Sequence, residues 1–233
     1  HALALRPTTA QCAVIGSSRV MQISSVRKER SLSGVCPSLI NLGVDGASLE
    51  DFLALTETIL RNEKPPKVIV FGIDLSNFNF NRNSRWISHK QSFFNMKSKL
   101  EGEYPDDNSS STLALVRNLI NLEYFLRSLQ LILSEKTQLI KKVQEFDHQL
   151  GIGTAVLLPD GSLIHSAESI LHMADQVYNS LQFNNGETFG IRGSQWVNEK
   201  AVELFIRLVN HLQQQKFKII LVLTPYHPAA WNI

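Results

Sequence analysis

The chain has 233 residues, 43% of them hydrophobic and 19% charged, with a formal net charge of +2. This is enough to bury a substantial core as one domain, and disorder is not the default reading. Apart from a short cluster at Arg27, Lys28 and Arg30 the cations are scattered, so no nucleic-acid footprint is expected, and no run of about 18 apolar residues is present to span a bilayer.

The chain opens at His1 with no charged-then-apolar leader, which fits a processed product or excised domain whose signal or anchor lies upstream. The first strand is expected at Cys12–Ile15, followed by a turn at Gly16, Ser17, Ser18 and Arg19. A second is expected at Leu39–Leu42, ahead of Gly43, and a third at Val68–Gly72. Between them Ser48 is placed to cap a helix whose Leu49, Phe52, Leu53, Leu55, Ile59 and Leu60 recur at helical spacing, and Pro65 and Pro66 end it. Short apolar strands separated by amphipathic helices predict a parallel sheet covered on both faces.

From about Asn77 to Ser111 the chain becomes polar and rich in Asn and Ser, with an exposed turn expected at Tyr104–Asn108. Residues Leu113–Gln149 hold a helical repeat, and Ala155–Ile164 reads as a hairpin around Asp160-Gly161. The α/β rhythm returns with a helix marked by Val197, Ala201, Leu204, Phe205, Leu208, Val209 and Leu212, then a buried strand at Phe217–Leu223. Thr224, Pro225, Tyr226, His227 and Pro228 leave that strand at its carboxyl end, where open α/β sheets bind ligands. The organisation expected is one domain, residues 1–233, with a largely helical insertion over about 77–193.

Cys12 and Cys36 lack the Cys/His company of a zinc site, so no metal is expected. They read as buried free thiols ahead of a disulfide, although each lies near a candidate strand. Hydroxyls just beyond a strand-ending glycine, at the start of a following helix, sit where backbone N–H groups and the helix dipole favour a developing oxyanion. Ser17 or Ser18 therefore reads either as a nucleophile or as a helix cap. Arg19 beside them is placed to bind an anionic substrate group or to pair with Asp45 or Asp74. Trp86, Trp196 and Trp231 read as packing residues ahead of sugar platforms. His89, His148, His165, His172 and His211 read as structural.

The order of these segments, Gly16-Ser17-Ser18-Arg19 after the first strand, Asn41-Leu42-Gly43 after the second, Gly72-Ile73-Asp74-Leu75 after the third and Pro225-Tyr226-His227 after the last, resembles the SGNH, or GDSL, hydrolase superfamily. Within it, Gly-Ser-Ser followed by a charged residue is similar to the cell-envelope branch of polysaccharide O-acetylation proteins and the D-alanyl transfer protein of teichoic-acid modification. The resemblance covers roughly residues 11–76 and 195–228.

It implies a flavodoxin-like three-layer α/β sandwich and a serine-dependent ester hydrolase or O-acyltransferase acting on cell-envelope or exopolysaccharide outside the cytoplasm. Ser18 would be the nucleophile, and the Ser18 and Gly43 amides, with Asn77, would form the oxyanion hole. His227 would be the base, and Arg19 and Asp74 would contact the substrate. No cofactor is needed, and a membrane-bound acyltransferase is a candidate partner.

Three positions depart from the family pattern. Asp74 stands where an oxyanion-hole Asn belongs, and Thr224 stands where the Asp of an Asp-x-x-His ending at His227 belongs. Leu221–His227 also resembles the strand and proline turn that precede the family's terminal block, which places the triad's Asp and His beyond Ile233. A sheet that has lost catalysis, serving as a carbohydrate-binding or assembly component, is the alternative.

Overall fold

The computed structural model describes residues 9–26, 34–78, 89–102, 155–165, 170–172, 175 and 197–224. The helical stretch at 113–149, the turn at 104–108, the three tryptophans, His148 and His227 lie outside the described residues.

Four strands, β1 (Cys12–Ile15), β2 (Leu39–Asn41), β3 (Val68–Ile73) and β6 (Lys218–Leu223), form one sheet in the order β2-β1-β3-β6. Every pairing in it is parallel. The two central strands are apolar because both their faces are covered, as in any interior strand of a parallel sheet. Ala13, Ile15, Ile69 and Phe71 face one side, and Cys12, Val14 and Val70 the other.

The helices α1 (Leu49–Leu60), α2 (Lys90–Glu101) and α3 (Glu199–Gln214) contribute to the first of these two clusters. Phe52 stacks on Phe71, with ring centroids 5.6 Å apart, and Phe205 meets both rings edge-on. On the opposite face, Val20, Ile23 and Cys36, from the connection between β1 and β2, cover Val14 and Val70. This is the division that right-handed crossovers require: the chain leaves β1 in one direction to reach β2, then returns in the other to β3 and β6.

Local signals account for the element ends. Ser48 begins α1 in a capping box with Asp51, whose Oδ2 accepts from the Ser48 N–H at 2.9 Å. Asn198 caps α3 by accepting from the Lys200 N–H at 3.0 Å. The expected hairpin forms from β4 (Ala155–Leu157) and β5 (Leu163–His165), and Gly161 at its turn takes a φ of 83° that favours glycine.

Two expectations are corrected, and one element is added. Cys12 and Cys36 are joined in a disulfide rather than free, because β1 and β2 lie side by side and bring their Cα atoms to 5.7 Å. Helix α2 forms within the polar stretch, where the sequence singles out no element. Only Phe93 and Met96 along it are buried, too few to produce a clear helical repeat. Strand β6 is not buried: it pairs only with β3 among the described strands, and Leu221 and Leu223 are 55% and 73% exposed. Among the described residues no helix is long and apolar enough to cross a membrane.

Candidate functional site

Because the connections leave β1 and β3 in opposite directions, the carboxyl ends of these two strands form the topological switch point, the usual ligand position in an open α/β sheet. The segment after β1 enters it as a three-residue 3-10 turn, Ser18–Val20. A helix-dipole contribution to an oxyanion is withdrawn, since one tight turn aligns too few peptides to build a dipole.

Space for the turn comes from two glycines. A Cβ on Gly72 would collide with Val20 Cγ1, and one on Gly16 would lie 2.7 Å from Val20 Cγ2 and 3.1 Å from the Gly72 carbonyl oxygen. Gly16 is not among the positive-φ residues, so close approach rather than an unusual backbone conformation requires it. Val20, seated over both glycines, anchors the turn to the sheet.

The two serines take separate roles. Ser17 is buried and caps the turn: its Oγ accepts from the Arg19 N–H at 3.3 Å and donates to Asp74 Oδ2. Ser18 is exposed, and neither its hydroxyl nor its N–H bonds to a described residue. The cap and the nucleophile candidate, alternatives for either serine by spacing, thus fall on adjacent residues.

Asp74, at the end of β3 and 1% exposed, is the hub of the polar contacts at the switch point. Its Oδ1 accepts from the Thr224 hydroxyl and lies 3.3 Å from Arg19 Nε. The Thr224 N–H donates to the Ile73 carbonyl at 3.1 Å, so the end of β6 is pinned beside the end of β3. The substrate-contact role for Asp74 does not fit this geometry, because both its oxygens are engaged by the protein. Arg19 takes its pairing alternative, with Asp74 as the partner.

Asn77 also turns inward. Its Oδ1 accepts from the Asp74 N–H at 2.6 Å and its Nδ2 donates to the Ala47 carbonyl at 2.6 Å, the arrangement of a buried loop cap rather than of an oxyanion donor. The Gly43 N–H donates to Asn41 Oδ1 at 2.8 Å, so an oxyanion would have to share it.

Sequence reasoning missed Asn41 and Asp160. Asn41 ends β2 fully buried, and its Nδ2 donates to the carbonyls of Val20 at 2.7 Å and Ile23 at 2.8 Å. Asp160, in the hairpin turn, accepts from Ser24 Oγ at 2.7 Å, Ser25 N–H at 2.8 Å and Ser162 Oγ at 2.6 Å. Burial alone would raise the Asp160 carboxyl, but these hydrogen bonds outweigh it and hold the group below its ordinary value. A polar residue closing an otherwise apolar strand was the available signal for Asn41. For Asp160 the Asp-Gly turn concealed a second role.

Of the histidines, His89 precedes α2 without a side-chain cap bond to it, His165 lies on β5 and His211 on α3. No histidine among the described residues bonds to Ser18. No protein-family model, curated protein or solved structure matches this chain.

Proposed function

We propose that this chain is an SGNH-type α/β domain, flavodoxin-like and three-layered, in which Ser18 serves an ester hydrolase or O-acyltransferase acting on cell-envelope or exopolysaccharide. The observation that carries the reading is an exposed serine with an unengaged N–H, held at the switch point of a parallel sheet beside a buried Ser17–Asp74–Thr224 brace. The strand order β2-β1-β3-β6 supports the flavodoxin-like layout. The disulfide supports an extracytoplasmic setting, where such bonds persist.

In this reading Ser18 Oγ attacks the ester carbonyl while a base takes its proton, and the Ser18 N–H, with a shared Gly43 N–H, receives the oxyanion. The tetrahedral intermediate collapses, the ester C–O bond breaks, and the leaving alkoxide takes the proton from the base. Water or a sugar hydroxyl then attacks the acyl-enzyme by the reverse sequence, restoring Ser18. The base is assigned to His227 or to a histidine beyond Ile233. A membrane-bound acyltransferase is the proposed donor partner.

A fluorophosphonate tests this reading. The full-length protein is expected to carry the adduct on Ser18, located by mass spectrometry, and His227→Ala is expected to abolish labelling if His227 is the base. An unlabelled Ser18 in the folded full-length protein overturns the enzymatic reading. A second reading, a non-catalytic carbohydrate-binding or assembly component, is favoured by the absence of any described partner for the Ser18 hydroxyl. Retained polysaccharide binding by an unlabelled protein would support it.

A further inference from the structure

The hairpin β4–β5 belongs to the stretch read as an insertion, yet its bonds reach the core of the candidate site. Asp160 offers both carboxylate oxygens: Oδ2 to Ser24 Oγ and the Ser25 N–H, and Oδ1 to Ser162 Oγ and, at 3.1 Å, the Ser162 N–H. Its main-chain carbonyl accepts from the Asn41 N–H at 2.6 Å, and the Leu163 N–H donates to the Met21 carbonyl at 2.7 Å. The hairpin thereby grips both the segment that follows Ser18 and the end of β2.

Asn41 completes this grip from inside. Its Nδ2 holds the Val20 and Ile23 carbonyls on one loop, and its Oδ1 holds the Gly43 N–H on another. One buried side chain thus fixes the spacing between the loop carrying Ser18 and the loop carrying Gly43. Neither loop can shift relative to the other without breaking one of these hydrogen bonds.

We infer that Asn41 and Asp160 form a clasp that positions the Ser18 turn against the Gly43 loop, making them positioning residues for the proposed nucleophile. The inference rests on the reading of Ser18 for its catalytic consequence and on the hydrogen bonds alone for its mechanical one. Sub-ångström registration of a nucleophile and its oxyanion donors governs rate rather than affinity, so loosening the clasp lowers kcat and leaves KM unchanged.

The experiment compares the full-length protein with Asn41→Leu, Asn41→Asp, Asp160→Asn and Ser24→Ala. Asn41→Asp keeps the acceptor for Gly43 and removes both donated bonds. Two quantities are read: amide hydrogen exchange, resolved over residues 18–26, 43 and α1, and the rate of Ser18 phosphonylation alongside kcat and KM for p-nitrophenyl acetate.

Expected are faster exchange over residues 18–26 with α1 unchanged, and phosphonylation and kcat lowered on the order of 10- to 100-fold at constant KM. If Asn41→Leu does not fold, Asn41→Asp and Ser24→Ala carry the same measurements. Unchanged exchange over residues 18–26 in every folded variant overturns the clasp. Altered exchange with phosphonylation and kcat untouched overturns the positioning role, since the clasp would then be structural only. A wild-type protein that is never labelled defeats the reading of Ser18, while the exchange data still decide whether the clasp exists.

Discussion

Two carboxylates are equally buried in this fold, and their surroundings differ. Asp74 and Glu57 are each 1% exposed and each is paired with cations. Glu57, on α1, takes Lys99 Nζ of α2 at 2.7 Å and Arg61 Nε at 3.1 Å, and both cations are about half exposed. Asp74, at the end of β3, instead binds two hydroxyls and one arginine from two other strand ends, those of β1 and β6, with an exposed serine alongside. Burial and pairing of an acid therefore identify architecture in both places. What separates the two regions is convergence of different strand ends at the switch point and an unengaged reactive group beside the acid.

The largest expected effect tests that separation directly. Asp74→Ala, which leaves the buried Ser17 and Thr224 hydroxyls and Arg19 without their acceptor, should lower stability by about 3 kcal/mol, and Glu57→Ala by about 1 kcal/mol, because water takes up its half-exposed cations. Only Asp74→Ala should also slow Ser18 phosphonylation. Denaturant titration together with labelling kinetics checks this, and equal effects on labelling would erase the distinction between the regions.

Breaking the disulfide comes next. Cys12 and Cys36 close a segment of sequence separation 24 that contains Ser17, Ser18 and Arg19. Its removal by Cys36→Ala with Cys12→Ala should cost about 3 kcal/mol on a chain-entropy account. The loss should appear as a lower midpoint in urea, with the Glu57 region following only through global unfolding.

A smaller effect is expected from Gly72→Ala, which overpacks Val20 and should cost about 1–3 kcal/mol. Because Val20 ends the Ser18 turn, slower phosphonylation should accompany the stability loss. Val20→Ala in the same background should restore both in part, which a double-mutant cycle would measure.

The smallest effect is acid dependence. Burial, reinforced by nearby Lys99 and opposed by Glu57, holds His211 below its ordinary 6.5, and Asp160 lies below its ordinary 3.8. For each group the unfolded chain takes up its proton first as pH falls. The contribution from His211 is thus full above about pH 6.5 and lost as pH drops through its lower folded value, and that of Asp160 follows below about pH 4. Chemical denaturation at a series of pH values should show the first step shrink in His211→Gln, because His89, also held below its ordinary value by burial, titrates in the same window, and the second step vanish in Asp160→Asn.

Much of the architecture could be read from the residues because its causes are local. The run at Cys12–Ile15, the cap at Ser48, the Asp160-Gly161 turn and the repeat ending at Leu212 each act within a few positions. The site was harder to read because its meaning lies in pairings between distant segments. Nothing near Asp74 announces Thr224 or Ser17 as its partners, and the resemblance that assigned it to a substrate rested on position in a motif rather than on burial. Ser18 was legible as a location, whereas its distinction from Ser17 required knowing which hydroxyl turns toward Asp74. The disulfide was hidden for the same reason: spacing along the chain does not report which strands lie side by side.

The pairing of β3 with β6 also sets an order of assembly. Thr224 meets Asp74 across 150 residues of sequence, whereas β1, β2 and β3 all come from the first third of the chain. Loop closure over that distance is entropically slow, so the three-strand unit is expected to pair first, with the β3 edge open and Asp74 missing one of its hydroxyl donors. The brace around Asp74 is then completed only when the last strand of the sheet arrives, which makes the candidate site a late reporter of correct folding.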